Sequence, residues 1–357
     1  MQNKNFFINM AFELAKINLG STKNNPSVGC IVEKNDTVLS SGHTSLNGRP
    51  HAEFNALNKK LDFKNSNLYV TLEPCSHFGR TPPCTNIIKK KKVKAVFFSL
   101  TDQDTRSKNK SKNKLKVQKI IVKKNVLRNK GLEFYKSYFM QHNNLEPYID
   151  AKIAISRDFF TKNSKKGFIT NEFSRQRGNF LRSMYDCIIS TSKTINSDNA
   201  LMNCRIKGLE AKSPDLIIID RQLKLKRNLK FFSKKIDRRV FLFTSNKYEK
   251  KLSFFKKKGI KVRFIESLKS KKDFNFLFSK LKKMGYNRIF IEAGFTFLDL
   301  MLKYDYVNNL YLFKSSLELK KFGQNLATHK IIKNIKIKDR IKVNLDGDNL
   351  YKIKIKN

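Results

Sequence analysis

The sequence lacks any long apolar run. Residues 6–19 are interrupted by Asn9, Glu13, Lys16 and Asn18, so they do not show the basic and then apolar order of a secretory signal. No apolar segment approaches the length of about 20 residues that spans a bilayer. We therefore expect a cytoplasmic protein with no membrane partner.

Cysteine is also scarce, with five in 357 residues. An odd and small number of cysteines argues against a disulfide framework and fits a reducing compartment. In that setting each thiol is free, binds a metal ion or takes part in catalysis.

Acidic residues are few: 29 Asp and Glu face 75 Lys and Arg, which gives a formal net charge of +46. Such a balance suggests nucleic-acid binding. However, the lysines are spread along nearly the whole chain and do not alternate with aromatic residues as they would on a single-strand binding surface. We interpret the charge mainly as solvated surface and expect no nucleic-acid partner. Attraction of phosphorylated small substrates and contact with nucleic acid are the two alternatives.

The chain is long enough for two domains with separate cores. In the first, strands alternate with helices, which predicts an α/β fold. The predicted helices cover residues 7–14, 52–60 and 85–92, and the predicted strands cover residues 28–33, 37–40, 68–72 and 93–100. The segment 106–124 carries nine basic residues and no acidic one. It is interpreted as a solvated helix and strand at the edge of this domain.

The pattern changes near residue 148 and predicts a second, mostly parallel α/β domain. Its predicted strands cover residues 149–155, 187–190, 216–220, 240–244 and 289–292, and its predicted helices cover residues 172–183 and 274–284. The two domains are different folds joined near residues 140–148. We assign residues 1–145 to the first and 146–357 to the second.

A metal-site motif stands in the first domain. His51, Cys75 and Cys84 supply one imidazole and two thiolates, the usual number of protein ligands for a catalytic zinc ion that keeps a fourth position for water. Zinc lowers the pKa of a bound water to about 7, so hydroxide is available at neutral pH. Glu53 is two residues from His51 and is expected to transfer protons rather than to bind the metal. Together they form the signature of zinc-dependent deaminases.

Eight residues separate the two cysteines, whereas nucleoside and tRNA deaminases have two. With this insertion, the segments 25–30 (NPSVGC), 51–53 (HAE) and 71–84 (TLEPCSHFGRTPPC) closely resemble the bifunctional deaminase–reductase family of riboflavin biosynthesis. Arg80, inside the insertion, is predicted to contact the substrate phosphate or ring edge, with plain loop charge as the alternative. His77 is interpreted as structural or as a residue that supports the metal ligands, and Cys30 as a small core residue.

The resemblance implies a cytidine-deaminase-like three-layer α/β/α domain, followed by a dihydrofolate-reductase-like α/β domain that uses NADPH. The implied substrate is 2,5-diamino-6-(5-phosphoribosylamino)pyrimidin-4(3H)-one, a phosphorylated pyrimidine derived from GTP. The first domain would convert it to the corresponding uracil with Zn²⁺, and the second would reduce its ribosyl group to ribityl. A homo-oligomer is possible.

In the second domain the resemblance rests on shorter pieces. They are Lys152, Ser156, Asp158, residues 168–170 and 181–183, Asp186, Thr194, Asp198, Asn199, Arg205, Asp220 and residues 292–294. The residues predicted to bind substrate are Lys152, Thr170, Arg182, Asp198, Met202, Arg205 and Glu292. Those predicted to bind the cofactor are Phe168, Thr194, Asp198, Gly294, Phe295 and Thr296.

Physical reasons support some of these roles. The guanidinium groups of Arg182 and Arg205 have a fork of donors that suits the substrate phosphate. For each of them, an ordinary surface arginine is the alternative. Glu292 ends an apolar strand, where ligands of parallel sheets bind, and could accept hydrogen bonds from substrate hydroxyls. Gly294 precedes a helix whose N–H groups suit a cofactor phosphate. For Phe168, contact with the cofactor and simple core packing are equal alternatives.

The sequence also departs from the family pattern. The glycine of an S-x-D-G turn is Phe159, and in the stretch D-N-P-x-L-T-x-R the proline is Ala200, the leucine is Met202 and the threonine is Asn203. These losses affect a turn and a loop beside the expected cofactor. Two alternatives therefore accompany the bifunctional enzyme: a deaminase whose second domain no longer reduces, and a nucleic-acid base deaminase on a basic scaffold.

Overall fold

The computed structural model describes residues 2–143, 146–165, 167–232, 237–326 and 340–356. The chain divides into two compact units, Met1–Leu145 and Glu146–Asn357. The join predicted at residues 140–148 includes residues 144 and 145, which lie outside the described residues. Within the described part, every helix is too short or too polar to cross a bilayer.

The first unit is built on a five-stranded sheet of order β2-β1-β3-β4-β5. Its strands are β1 (Gly29–Lys34), β2 (Thr37–His43), β3 (Asn67–Leu72), β4 (Ala95–Leu100) and β5 (Ile121–Lys123). Its helices are α1 (Gln2–Lys16), α2 (Ala52–Leu57), α3 (Cys84–Lys90), α4 (Lys110–Lys116), α5 (Arg128–Phe134) and α6 (Lys136–Asn143). Strand β1 is antiparallel to β2 and β3, whereas β3, β4 and β5 are parallel. The loops that follow β3 and β4 therefore meet at one edge of the sheet.

Helices cover both faces of this sheet, and two glycines show how closely. A Cβ atom on Gly29 would lie 1.8 Å from the carbonyl oxygen of Ala11 in α1, and one on Gly42 would lie 2.4 Å from that of Ala52 in α2. Gly42 pairs with Cys30, the residue after Gly29. Because successive strand residues face opposite sides, α1 and α2 lie on opposite faces. The three-layer α/β/α architecture is thus confirmed.

The second unit contains an eight-stranded sheet of order β11-β10-β9-β8-β12-β6-β13-β15 and a two-stranded ribbon of β14 and β7. Its strands are β6 (Tyr148–Ile155), β7 (Phe160–Asn163), β8 (Cys187–Thr191), β9 (Asp215–Ile219), β10 (Val240–Thr244), β11 (Lys261–Phe264), β12 (Arg288–Ile291), β13 (Asn309–Lys314), β14 (Gly323–Leu326) and β15 (Asn349–Lys354). Its helices are α7 (Glu172–Arg182), α8 (Ser192–Asp198), α9 (Glu249–Lys257), α10 (Lys271–Lys283) and α11 (Phe295–Lys303). All neighbouring strands of the large sheet are parallel except β13 and β15.

Strand β9 shows why both faces of this sheet are covered. Ile217 and Ile219 belong to one buried apolar cluster, while Leu216 and Ile218 belong to another. Strands buried on both faces read as continuous apolar runs, which is the pattern of residues 216–219. The predicted parallel α/β domain is confirmed.

Most predicted elements occur within a few residues of their expected limits. Helix α2 ends at Leu57 rather than residue 60, and β2 continues to His43 rather than residue 40. The basic segment 106–124 contains α4 and the edge strand β5, as predicted. It is not uniformly solvated, since Ser107 and Ser111 are fully buried.

Candidate zinc centre and second candidate site

Three metal-binding side chains converge in the first unit. His51 lies directly before α2, Cys75 follows β3, and Cys84 is the first residue of α3. The Nδ1 atom of His51 is 3.5 Å from the Sγ atom of Cys75 and 3.5 Å from that of Cys84. All three ligand atoms lie within 4.8 Å of one another. The fold thus brings together the three residues predicted to bind zinc.

The arrangement fits a tetrahedral zinc ion. With Zn–N and Zn–S bonds of about 2.0 and 2.3 Å, a nitrogen and a sulfur ligand at the tetrahedral angle lie about 3.5 Å apart. That separation is the one that joins His51 to each cysteine. A hydrogen bond with Cys84 lowers the pKa of Cys75 to about 4, whereas the same contact and burial keep the pKa of Cys84 well above its usual value. Cys75 is therefore already a thiolate in the metal-free chain, whereas Cys84 would lose its proton when a cation binds.

Glu53 lies beside the three ligands, in the first turn of α2, and is 3% exposed. Burial, joined by the negative charge of Cys75, raises the pKa of Glu53 to about 7. Its side chain also forms a hydrogen bond with Cys84. A carboxyl group with this pKa accepts and returns protons near neutral pH. Glu53 thus lies beside the three metal-binding side chains, and its proton-transfer role stays a prediction.

Glu73 ties the loop after β3 to the loop after β4, although no sequence pattern predicts a role for it. The buried carboxylate accepts hydrogen bonds from the N–H groups of Asp102, Asn109 and Ser111 at 3.3, 3.1 and 3.2 Å. It also accepts one from the Ser111 hydroxyl at 2.6 Å. Glu73, two residues before Cys75, thus anchors segment 102–111 next to the metal-binding loop. Because its partners are 29 to 38 residues away along the chain, local sequence could not reveal them.

The same segment supports the insertion between the two cysteines. The Ser107 hydroxyl accepts a hydrogen bond from the N–H of Ser76 at 3.2 Å and lies 2.7 Å from Nδ1 of His77. The ammonium group of Lys114 donates to the carbonyl of Ser76 at 2.6 Å. Part of the basic segment therefore packs against the metal-binding loop.

One arginine lies within the insertion and another contacts it. Arg49 donates a hydrogen bond to the hydroxyl of Thr81, which ties the residues before α2 to this loop. Arg80 is exposed and makes no hydrogen bond with a described residue.

In the second unit, four of the predicted cofactor residues lie near the ends of β8 and β12: Thr194, Gly294, Phe295 and Thr296. The Thr194 hydroxyl accepts a hydrogen bond from the N–H of Gly294 at 3.0 Å and lies 3.1 Å from the Thr191 hydroxyl. Gly294 directly precedes α11, and Phe295 and Thr296 form the first turn of that helix. The first N–H groups of a helix have no partner within the helix and suit an anionic ligand.

Three of the predicted substrate residues form a charged cluster near β6 and β12: Lys152, Arg182 and Glu292. Ile291 in β12 pairs with Ala151 in β6, so the next residues, Glu292 and Lys152, are adjacent. Burial lowers the pKa of Lys152, and the negative charges of Glu292 and Asp198 partly offset this effect. The arginine closest to the Glu292 carboxylate is Arg182, whose Nε atom lies 2.6 Å from Oε1.

The remaining predicted residues differ in exposure. Thr170 and Met202 are buried, whereas Arg205 and Asp198 are exposed. Phe168 is 69% exposed, so the alternative of core packing is wrong for this residue. Its ring lies 4.4 Å beneath the guanidinium group of Arg175, which also donates to the carbonyl of Thr170 at 2.6 Å. No sequence pattern predicts this contribution of Arg175.

The turn that lacks the family's glycine is nevertheless formed. Phe159 has φ +70°, in the left-handed region that favours glycine. Ser156 donates to the Asp158 carboxylate at 2.6 Å, which in turn accepts hydrogen bonds from the N–H groups of Leu319 and Lys320. A left-handed conformation costs a residue with a side chain about 1–2 kcal/mol. These hydrogen bonds hold the turn despite that cost.

Comparisons with known proteins agree for both units. The family model "Cytidine and deoxycytidylate deaminase zinc-binding region" matches residues 1–100, and "RibD C-terminal domain" matches residues 147–319. The riboflavin biosynthesis protein RibD of Actinobacillus pleuropneumoniae is 30% identical over 291 residues, which are 81% of this chain and 77% of that protein. RibD of Buchnera aphidicola is 30% identical over 328 residues, covering 86% of each chain.

Solved structures show the same two-unit arrangement of folds. Acinetobacter baumannii RibD has a TM-score of 0.80 at 25% identity, over 100% of this chain and 99% of that one. A deaminase/reductase from Thermotoga maritima, at 24% identity and a TM-score of 0.81 over 99% of each chain, shares the fold. The chain therefore belongs to the RibD family of bifunctional riboflavin-biosynthesis enzymes, which combine a zinc-dependent deaminase with an NADPH-dependent reductase.

Proposed function

We propose that residues 1–145 deaminate 2,5-diamino-6-(5-phosphoribosylamino)pyrimidin-4(3H)-one and that residues 146–357 reduce the resulting uracil at its ribosyl group. The observation that carries this proposal is the convergence of His51, Cys75 and Cys84 beside the buried carboxyl group of Glu53. Family membership supplies the substrate class, a small phosphorylated pyrimidine.

In the first unit, the two thiolates and the imidazole would hold zinc, which supplies Lewis-acid activation of water when bound. Glu53 takes one proton from the attacking water and delivers it to the ring nitrogen. It then takes the second proton, from the hydroxyl group added to the ring carbon, and delivers it to the amino group, which leaves as ammonia. Burial raises the pKa of this carboxyl group to about 7 in the metal-free chain, and the charge of a bound cation would favour its ionised form, which is the form that accepts a proton from water. The net change is the replacement of the ring amino group by a carbonyl oxygen from water. Arg80 would contact the substrate at the outer loop.

In the second unit, NADPH would supply the hydride to C1′ of the opened, imine-like form of the ribosylamine. Gly294, Phe295 and Thr296 would bind a cofactor phosphate at the start of α11. The hydroxyl of Thr194 fixes the backbone of Gly294, and Phe168 would contact the cofactor. Positioning is the main contribution of the protein here, because the cofactor carries the difficult chemistry.

Around the substrate, Glu292 and Asp198 would accept hydrogen bonds from the sugar hydroxyls, and Lys152 would donate one. The buried Thr170 and Met202 line the same region in our assignment. The exposed Arg205 makes no hydrogen bond with a described residue, so its five donors suit the substrate phosphate. A cytoplasmic location, an oligomeric state and the absence of a nucleic-acid partner stay predictions.

The decisive experiment supplies the purified chain with the pyrimidine substrate and follows ammonia release and NADPH oxidation together. We expect zinc-dependent ammonia release, followed by NADPH oxidation that requires the deaminated product. Ammonia release without NADPH oxidation would favour the deaminase-only alternative. The strained turn at Phe159 would then be the first candidate cause of the lost reductase activity. A lack of ammonia release from the zinc-loaded chain would contradict the proposal.

A further inference from the structure

The side chain of Arg182 is turned into the protein rather than toward solvent. Arg182 lies in the last turn of α7, and its side chain is 12% exposed, while that of Glu292 is 8% exposed. Its Nε and Nη2 atoms donate to the two carboxylate oxygens of Glu292 at 2.6 and 2.9 Å. This parallel, two-point contact is the strongest form of an arginine–carboxylate pair.

The other donors of Arg182 are also engaged. A guanidinium group has five N–H donors. Besides the two that meet Glu292, Nη1 donates to Oδ1 of Asn179 at 2.9 Å and to the carbonyl of Asn203 at 3.0 Å. The second hydrogen of Nη2 points to the sulfur of Met202, at an Nη2–Sδ distance of 3.9 Å. A phosphate that bound Arg182 would have to displace one of these partners.

Displacing Glu292 would be costly because its carboxylate is buried. Burial alone would raise the pKa of Glu292. The positive charges of Arg182 and Lys152 outweigh that effect and hold the pKa below its usual value. A buried charge that loses its partner strongly destabilises the folded state. By contrast, the backbone of Glu292 is held separately, by a hydrogen bond from the Ser190 hydroxyl to its carbonyl at 2.7 Å. The orientation of the carboxylate therefore depends on Arg182.

We infer that Arg182 is a positioning residue of the reductase site. It holds the carboxylate of Glu292 toward the sugar of the substrate and ties the 202–203 loop to that carboxylate, while recognition of the substrate phosphate belongs to the exposed Arg205. The inference rests on the proposed reductase function and reassigns one of the two arginines predicted to bind phosphate.

The test compares Arg182→Lys with the matched variant Arg205→Lys, each keeping the charge but losing the fork. The reductase kcat and KM are measured for the phosphorylated substrate and for the same compound without its phosphate. For Arg205→Lys we expect the preference for the phosphorylated form, taken as the ratio of kcat/KM values, to fall about 10-fold or more, because a phosphate contact is lost. For Arg182→Lys we expect kcat to fall about 10- to 100-fold with both compounds and the preference to stay within about 2-fold.

An equal loss of phosphate preference in both variants would overturn the inference. Coupling gives a second readout: Glu292→Gln should cost less in the Arg182→Lys background than alone, since the two side chains act as one unit. Additive losses would contradict the positioning role.

A measurement on the unaltered chain covers the case in which Arg182→Lys does not fold. The ¹⁵Nε signals of the two arginines are followed while inorganic phosphate is added, with assignment through Arg205→Lys. We expect the Arg205 signal to move and the Arg182 signal to stay; movement of the Arg182 signal would overturn the inference. Absence of NADPH turnover in the unaltered enzyme would instead count against the proposed function, and the phosphate titration would still report on Arg182.

Discussion

The carboxylate of Glu73 accepts both the hydroxyl and the N–H hydrogen bond of Ser111, at 2.6 and 3.2 Å, in the buried interior of the first unit. Ser111, the second residue of α4, is the last of three residues in segment 102–111 whose N–H groups donate to Glu73. This contact joins the loop after β3, which carries Cys75, to the segment after β4.

We expect Glu73→Gln to destabilise the first unit by about 2–3 kcal/mol, because an amide replaces a charged acceptor and places an N–H₂ group opposite donors. Denaturant unfolding measures this loss, and a chromophoric chelator should extract zinc faster from the variant. Glu13→Gln is the control, since the Glu13 side chain is 62% exposed. Its effect should stay within about 0.5 kcal/mol. Equal stability of the two variants would show that Glu73 is not an anchor.

Glu53→Gln should retain zinc and lose deamination by about 10²- to 10⁴-fold, the usual contribution of a general acid–base group. Metal analysis and ammonia release measure the two effects separately. Glu33→Gln is a matched control, because Glu33 is also buried in the first unit but pairs with Asn67 at the opposite end of β3 from Cys75. Deamination by Glu53→Gln at the rate of the unaltered enzyme would remove Glu53 from the mechanism.

The zinc site was predictable from sequence because its residues are chemically distinctive and closely spaced. His51 and Glu53 stand on one helix start, and Cys75 and Cys84 bracket a single loop. Strands such as β4 and β9 were predictable for a similar reason, since burial on both faces gives them continuous apolar runs.

Support for the site was not predictable. Glu73 and Ser107 act through partners that only the fold brings near, and their residue types are common in loops and on helix surfaces. The same holds for Arg182, whose sequence context suggests a phosphate ligand although its donors meet protein atoms. Short strands such as β7 and β14 escaped prediction because, among the described residues, they pair only with each other, and β7 buries little.

Removing one ligand should remove the metal. We expect Cys84→Ala to lose zinc and to unfold at lower denaturant concentration, because metal binding contributes to the stability of the folded unit. Cys187→Ala is the control: Cys187 is fully buried in β8 of the second unit and lies outside the ligand group. Metal content near one zinc per chain in Cys187→Ala and near zero in Cys84→Ala is expected. Full zinc content in Cys84→Ala would contradict the assignment of this ligand.

Zinc uptake should release protons in a way that depends on Glu53. In the metal-free chain the pKa of Glu53 is about 7, so at pH 6 this carboxyl group is mostly protonated. The charge of a bound cation favours the ionised form, and the thiol of Cys84 must also lose its proton. Zinc affinity should therefore rise with pH, and below pH 7 the unaltered chain should release about one proton more than Glu53→Gln. Calorimetric titration with zinc in two buffers of different ionisation enthalpy counts these protons. Equal proton release by the two proteins at pH 6 would mean that Glu53 keeps one protonation state when the metal binds, which would contradict this prediction.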